Sequence, residues 1–269
     1  PVLLAGAVSG AAAAFLGGVE SSRLLGQAGW TAPRFLPAAA VAVLAAALFA
    51  GPAWPVDLLT AICWVVPLAW LFLPGRRQGD ASAPAAPPDA GRPEAARRRG
   101  GWLAHACAAI ALGVLLACLG RLVGGPWPGR VGPTGSSQLL LYALAIVWSC
   151  DTGAYLVGSR LGRHKLWPAV SPGKTWEGAV GGTVAASLAA LFLAAPLAPG
   201  LGRTHALILG GAGAVAAQLG DLFESRLKRL AGVKDSGAFM RGHGGILDRI
   251  DSLLFAGPVL AYGLSLLLR

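Results

Sequence analysis

Long apolar segments, separated by polar stretches that hold most of the positive charge, are the feature that most limits how this chain can fold. A segment of about 20 apolar residues is long enough to cross the hydrocarbon of a bilayer as an α-helix. Hydrophobic residues make up 55% of the chain and charged residues only 13%, which is typical of a polytopic membrane protein and excludes an ordinary soluble domain. The sequence therefore predicts an all-α integral membrane protein with about eight spanning helices. They lie near residues 2–19, 35–52, 56–73, 102–120, 138–157, 178–197, 205–222 and 252–268.

The positions of the basic residues predict how these helices are oriented. If the segment after the first span is cytoplasmic, the inner loops hold 18 of the 22 Lys and Arg residues. Because Lys and Arg concentrate in cytoplasmic loops, this orientation is favoured, and it places the motif-bearing loops on the cytoplasmic face. It also places Pro1 outside, so we expect a further helix before Pro1, with a cleaved signal peptide as the alternative. If the source is bacterial, as the richness in Ala, Gly and Arg indicates, the membrane is the inner membrane.

Composition divides the chain into three regions. Residues 75–101 are rich in Pro, Ala, Gly and Arg and contain almost no large apolar side chain, which predicts a disordered cytoplasmic linker. This linker separates an N-terminal transmembrane region, 1–74, from a transmembrane catalytic region, 102–269. The net charge of +10 lies in loops that flank the membrane, without interleaved aromatic residues, so nucleic acid is not an expected partner. Anionic lipid and nucleotide phosphates are expected partners instead.

Two pairs of carboxylates lie close to the ends of predicted spans. Asp221 and Glu224 are three residues apart, as are Asp248 and Asp251, so each pair shares one face of a helix. Burying acids near a bilayer is costly unless they are paired or hold a cation. Mg²⁺ commonly takes one or two carboxylates together with substrate phosphates, so the pattern predicts a Mg²⁺ site.

Basic residues accompany these acids along the chain, namely Lys228, Arg229, Lys234 and Arg249. They could hold a triphosphate or a phospholipid headgroup, because Arg makes forked contacts to phosphate and Lys acts as a point charge. Two alternatives remain open at this point. The acids could simply form salt bridges with these cations at the helix ends, or the basic loop could serve only to set the topology.

Residues 171–175 (SPGKT) supply further anion donors. Ser171, Lys174 and Thr175 provide hydroxyl and ammonium groups just before a predicted helix, where free backbone amides favour an anion. The alternative is that Ser171 and Pro172 only cap that helix.

Glycines beside a histidine form the last candidate element. Gly244 and Gly245 follow His243, and they would let the backbone approach a phosphate closely or, alternatively, form a flexible turn between helices. Asp151, at the inner end of the span at 138–157, is a candidate nucleotide contact.

At these residues the chain resembles the phosphatidate cytidylyltransferase family, also called CDP-diglyceride synthase. That family is similar in carrying S-x-x-K-R-x4-K-D followed by H-G-G-x-x-D-R-x-D. The matching residues are Ser225, Lys228, Arg229, Lys234, Asp235, His243, Gly244, Gly245, Asp248, Arg249 and Asp251. The segments QLGD and SPGKTWEG extend the resemblance, which covers about residues 138–255 by motif and the remainder by hydropathy only. One departure is Met240-Arg241, where the family usually has Leu, Ile or Phe followed by a small residue or Pro.

The resemblance implies a Mg²⁺-dependent nucleotidyltransferase with a helical membrane fold that forms a homodimer. The implied reaction joins CTP and phosphatidic acid to give CDP-diacylglycerol and pyrophosphate. Two other functions are kept as alternatives. One is a CTP-dependent lipid-alcohol kinase, which would release CDP, and the other is a transporter of an anionic solute.

The resemblance also implies roles for individual residues. The expected metal ligands are Asp221, Asp248 and Asp251, with Glu224 as a further candidate. The expected catalytic residues are Lys228, Arg229, Lys234, Asp235, His243 and Arg249. The expected substrate-binding residues are Asp151, Ser171, Lys174, Thr175, Ser225, Gly244 and Gly245.

Overall fold

A computed structural model of the chain describes most of its C-terminal half and a few residues before it. The described residues are 16, 18–24, 26, 118, 122, 135–230, 232–233, 236, 245 and 247–268. Several predicted segments lie outside these residues, namely the spans at 35–52 and 56–73, most of the spans at 2–19 and 102–120, and the linker.

The described part of the chain is mostly helical and contains one β-hairpin. Its elements are α1 (Gly135–Leu161), β1 (Lys165–Trp167), β2 (Ser171–Thr175), α2 (Trp176–Leu197), α3 (Arg203–Leu230) and α4 (Leu247–Leu267). All four helices are long and apolar enough to cross a membrane. They coincide with the last four predicted spans, so the prediction of a helical membrane protein is confirmed for this part of the chain.

The β-hairpin is the feature that the all-α prediction missed. β1 and β2 are antiparallel, with Lys165 opposite Thr175 and Trp167 opposite Ser171. Strands of three and five residues are too short to show an alternating apolar pattern. The second strand also contains Pro172 and Gly173, two residue types that are depleted in strands.

Helix α3 extends beyond its predicted end at residue 222 and reaches Leu230. The apolar segment ends where the polar residues begin, whereas the helix continues through those polar residues. The helix ends near Gly232, whose φ of 69° lies in the left-handed region that glycine adopts easily. The amides of Gly232 and Val233 return to the carbonyls of Arg229 and Lys228, at 3.2 and 3.0 Å. These bonds satisfy carbonyl groups that have no partner further along the helix.

Glycines allow α1 and α2 to pack with their backbones close together. A Cβ atom added to Gly153 would lie 2.5 Å from Cβ of Ala185, and one added to Gly182 would lie 2.6 Å from the Cys150 carbonyl oxygen. Small residues bring membrane helices together in this way, because van der Waals contact replaces the hydrophobic effect as the driving force.

Helix α3 is tied to α1 and α2 by one polar side chain. The Gln218 amide nitrogen donates to the Ala179 carbonyl at 3.2 Å and to the Thr183 hydroxyl at 3.1 Å, both on α2. It also lies 3.4 Å from the Cys150 sulfur on α1. Because a buried amide needs hydrogen-bond partners, these contacts favour one rotational setting of α3.

The described residues belong to two compact units. The first contains residues 118, 122, 135–222 and 251–268, and its core includes Tyr142, Ile146, Leu260 and Leu264. The second contains the described residues between 16 and 26 and those between 223 and 250.

We predict that Gly153→Ala lowers the stability of the protein, because its new methyl group would overlap Ala185. Overpacking of this kind costs about 1–3 kcal/mol. The measurement is the midpoint of unfolding by SDS in mixed micelles. The matched control is Gly173→Ala, since a Cβ atom at Gly173 meets no atom within 4 Å. Equal midpoints for the two variants would contradict the proposed close packing of α1 on α2.

Candidate active site

In the first unit, a lysine of the hairpin pairs with an acid of α3. The Nζ atom of Lys174 lies 2.5 Å from Oδ2 of Asp221. The side chains remain 26% and 33% exposed, so an incoming ligand could reach both. Asp151, on α1, is exposed and near enough to interact electrostatically with both of them. The structure thus brings together three of the predicted site residues.

Thr175 joins the hairpin to α2 as the N-cap residue of that helix. Its backbone is extended, and its hydroxyl oxygen accepts a hydrogen bond from the Gly178 amide at 3.1 Å. The Thr175 side chain is therefore buried in a capping role. The alternative that Ser171 and Pro172 cap the helix is wrong, because both residues lie in β2.

Glu177 holds the chain that leads into the hairpin against the start of α2. Its carboxylate accepts from the backbone amides of Arg163 at 3.1 Å and His164 at 3.2 Å. It also lies 2.6 Å from Nδ1 of His164. In return, the His164 carbonyl accepts from the Trp176 amide at 2.9 Å. These bonds hold both ends of the hairpin in place and therefore fix the backbone position from which the Lys174 side chain extends.

The first unit also contains Asp251, which lies where α4 packs on α3. A Cβ atom added to Gly220 would be 2.5 Å from the Asp251 carbonyl oxygen, so the two backbones nearly touch there. Oδ1 of Asp251 accepts from the Ser252 amide at 2.6 Å. Asp221, the neighbour of Gly220, therefore lies on the stretch of α3 that meets the Asp251 turn of α4.

In the second unit, one lysine bridges two acids. Nζ of Lys228 lies 2.9 Å from Oε2 of Glu224 and 2.8 Å from Oδ1 of Asp248. The three side chains are largely buried, with exposed fractions of 15%, 4% and 14%. The salt-bridge alternative thus describes how Glu224 and Asp248 are paired in this structure. Removing one member of such a buried group would leave an uncompensated charge.

The second oxygen of Asp248 organises the backbone before α4. Oδ2 accepts from the Gly245 amide at 2.7 Å, from the Ser236 amide at 3.0 Å and from the Ser236 hydroxyl at 2.9 Å. Hydrogen bonds to an ionised acceptor are stronger than neutral ones. Asp248 therefore joins the segment around Ser236 to the first turn of α4.

The other predicted site residues lie elsewhere on α3 and α4 or outside the described residues. Ser225 is half-buried on α3, and the Arg229 and Arg249 side chains are exposed. Four predicted residues fall outside the part of the chain that the structure describes, and they are Lys234, Asp235, His243 and Gly244.

Three polar residues at these clusters were missed from the sequence, namely Glu20, Glu177 and Ser236. Glu177 stands within the motif segment SPGKTWEG, and Ser236 directly follows the Lys-Asp pair of the longer motif. Glu20 is the one acid at the end of the first predicted span, and that position was the signal that could have identified it.

The Mg²⁺ site remains a prediction. Among residues placed by the structure, no three His, Cys, Asp or Glu side chains form a group that could hold a metal ion. The chemistry of the donor set nevertheless fits a hard cation. Glu224 and Asp248 both direct an oxygen at the single ammonium group of Lys228, and Asp221 does so at Lys174.

Comparison with known proteins identifies the family. A model described as "Cytidylyltransferase family" matches residues 3–267, almost the whole chain. The chain belongs to this family. A phosphatidate cytidylyltransferase of Bacillus subtilis (strain 168) is 49% identical over 128 residues, which are 47% of this chain and 47% of that protein. One of Staphylococcus aureus (strain COL) is 50% identical over 127 residues, covering 45% of this chain and 46% of that protein. One of Staphylococcus saprophyticus is 46% identical over 121 residues, with coverage of 45% and 46%.

The family resemblance read from the motifs is thus confirmed for the cytidylyltransferase family. The chain spans about half the length of the curated relatives that it matches.

We predict that Lys228→Met strongly destabilises the protein, because Glu224 and Asp248 would keep buried charges without their shared cation. Breaking a buried ion pair from one side costs about 3–5 kcal/mol. The free energy of unfolding, measured by SDS titration in mixed micelles, checks this. Arg229→Met is the matched control, since it removes an exposed cation from the next position, where we expect a loss of at most about 1 kcal/mol. Similar losses in the two variants would refute the bridging role of Lys228.

Proposed function

We propose that this protein transfers CMP from CTP to phosphatidic acid, giving CDP-diacylglycerol and pyrophosphate. The observation that carries this proposal is the combination of a family match over residues 3–267 with relatives named phosphatidate cytidylyltransferase at 46–50% identity. The membrane-spanning character of α1–α4 supports it, because the acceptor substrate is a lipid.

The two lysine–acid clusters suit this chemistry. A phosphatidate oxygen already carries negative charge, so the attack on the α-phosphorus of CTP needs no strong general base. The difficulty lies in bringing two anions together, and preorganised cations reduce that repulsion. Lys174 and Lys228 are held by carboxylates before any substrate arrives, at 2.5 Å from Asp221 and 2.8 Å from Asp248. We propose that both lysines bind substrate phosphates.

Other cations and donors complete the proposed binding of the two substrates. In this proposal, Arg229 and Arg249 reach phosphate oxygens from exposed positions on their helices. The further proposed substrate-binding residues are Asp151, Ser171 and Thr175 in the first unit and Ser225 and Gly245 in the second. The Thr175 hydroxyl already accepts a bond from Gly178, and it would donate its own proton to the ligand. Lys234, Asp235, His243 and Gly244 keep the roles that the family motif implies.

We propose that Mg²⁺ is the cofactor. Asp221 and Asp251 would hold it in the first unit, and Asp248 and Glu224 are the candidate ligands in the second. When bound, Mg²⁺ neutralises charge on the phosphates and on the leaving pyrophosphate. For Asp221, Asp248 or Glu224 to bind the metal, the lysine paired with that carboxylate, Lys174 or Lys228, must release one of its oxygens. Each lysine would then be free to turn toward a phosphate.

We also propose the setting in which the reaction occurs. The clustering of 18 of 22 basic residues in alternate loops supports an active site on the cytoplasmic face of the inner membrane. CTP is the proposed nucleotide, and a homodimer is the proposed assembly.

Tracing the label of CTP tests the reaction. Purified protein in detergent micelles, given phosphatidic acid, Mg²⁺ and CTP labelled at the α-phosphate, should transfer the label to lipid and release an equal amount of pyrophosphate. Asp251→Asn should lower the rate by about a hundredfold, as expected for a group that acts on transition-state charge. The control Asp89→Asn changes an acid in the 75–101 segment, to which no role is assigned, and should keep the wild-type rate.

Two outcomes would overturn the proposal. If the label stays in water-soluble CDP while a lipid alcohol gains the γ-phosphate, the protein is a kinase. If folded protein does not turn over CTP but moves an anionic solute across vesicles, it is a transporter.

A further inference from the structure

Glu20 is a buried acid, and none of the roles above uses it. It lies among residues 18–24, which are helical, and only 8% of its surface is exposed. An ionised carboxylate in such a position is costly unless it is hydrogen-bonded. Its partners therefore indicate why this position carries an acid.

Two hydrogen bonds to Glu20 come from residues beside the Asp248 cluster. Oε2 of Glu20 accepts from the Leu247 amide at 2.7 Å and from the Ser236 hydroxyl at 3.1 Å. Leu247 is the first residue of α4, where backbone amides lack partners within the helix. A carboxylate at that point satisfies one such amide and interacts favourably with the helix dipole.

The Ser236 hydroxyl links Glu20 to Asp248. Its oxygen lies 3.1 Å from Oε2 of Glu20 and 2.9 Å from Oδ2 of Asp248. A hydroxyl has one proton to donate, so the two carboxylates share it. Glu20 and Asp248 are thus linked through a single intervening side chain.

Gly245 shows how closely Glu20 packs on this turn. A Cβ atom there would lie 2.5 Å from Oε2 of Glu20 and would also overlap the Ser236 hydroxyl oxygen. The Gly245 amide meanwhile donates to Asp248 at 2.7 Å. Only glycine fits at position 245, and its amide and its Cα each face one of the two carboxylates.

We infer that Glu20 is a positioning residue for Asp248, which it orients through the Ser236 hydroxyl and the Leu247 amide. This inference rests on the proposed function, in which Asp248 holds the phosphate-binding Lys228 and is a candidate Mg²⁺ ligand. Glu20 itself touches no reacting atom in this assignment. Its effect on the reaction is to fix which oxygen of Asp248 faces Lys228 and which faces the backbone.

The test uses Glu20→Ala and Glu20→Gln in the full chain in detergent micelles, with two measurements. The first is hydrogen exchange of the peptide containing residues 245–250, which does not depend on any activity. It should speed up in Glu20→Ala, and less in Glu20→Gln, since a glutamine oxygen can still accept from the Leu247 amide.

The second measurement is kcat for CMP transfer, corrected for the amount of folded protein. Loss of an outer positioning group should lower kcat about 10- to 100-fold in Glu20→Ala, with KM for CTP changed much less. Glu20→Gln should recover part of this loss.

Ser21→Ala is the matched control. Ser21 is also buried and polar, but its hydroxyl donates within its own helix, to the Gly18 carbonyl at 3.0 Å. It should leave both the exchange at 245–250 and kcat at wild-type values.

The outcomes separate this inference from the proposed function. Wild-type exchange at 245–250 in folded Glu20→Ala, or exchange in Glu20→Gln as fast as in Glu20→Ala, overturns the positioning role, whatever the activity. Faster exchange with unchanged kcat also overturns it, because Asp248 would then not depend on Glu20. If wild-type protein transfers no CMP, the proposed function fails, and the positioning of Asp248 for that reaction fails with it. The exchange data would then report only the packing of the turn.

Discussion

Pairing of carboxylates with lysines at the ends of apolar helices is the interaction on which the candidate site depends. Acids at the ends of apolar helices are tolerated only when a cation or several hydrogen bonds compensate them. In the first unit Lys174 compensates Asp221, and in the second unit Lys228 compensates both Glu224 and Asp248. The same contacts fix the lysines in place. The same lysine–carboxylate pairs therefore supply acids that could bind a metal cation and lysines that could bind phosphates.

The local backbone is built to present these charges. Thr175 caps α2 and Glu177 binds the chain entering the hairpin, so the β2 residue Lys174 starts from a fixed position. Asp248 accepts the Gly245 amide and thereby shapes the turn that begins α4. Rigid support of this kind is what electrostatic catalysis requires, because groups that are already oriented do not reorganise during the reaction.

Hydropathy was sufficient to predict the four described helices, since each contains an apolar segment of spanning length. It placed the end of α3 too early because Glu224, Lys228 and Arg229 are polar yet helical. The motifs predicted most of the charged residues in the two clusters, but not which acid each lysine contacts. The Lys174–Asp221 contact depends on a hairpin that has no sequence periodicity. Glu20 lies 216 residues before Ser236 in the chain, and no local pattern connects residues at that separation.

A double-mutant cycle between Lys174 and Asp221 would show whether a lysine and its carboxylate act as one unit in the reaction. The rate of phosphatidate-dependent pyrophosphate release would be measured for Lys174→Met, Asp221→Asn and the double variant. If each carboxylate and its lysine act as a unit, the double variant should be no slower than the slower single variant. Losses that multiply in the double variant would show that the two residues act independently, which would contradict the account.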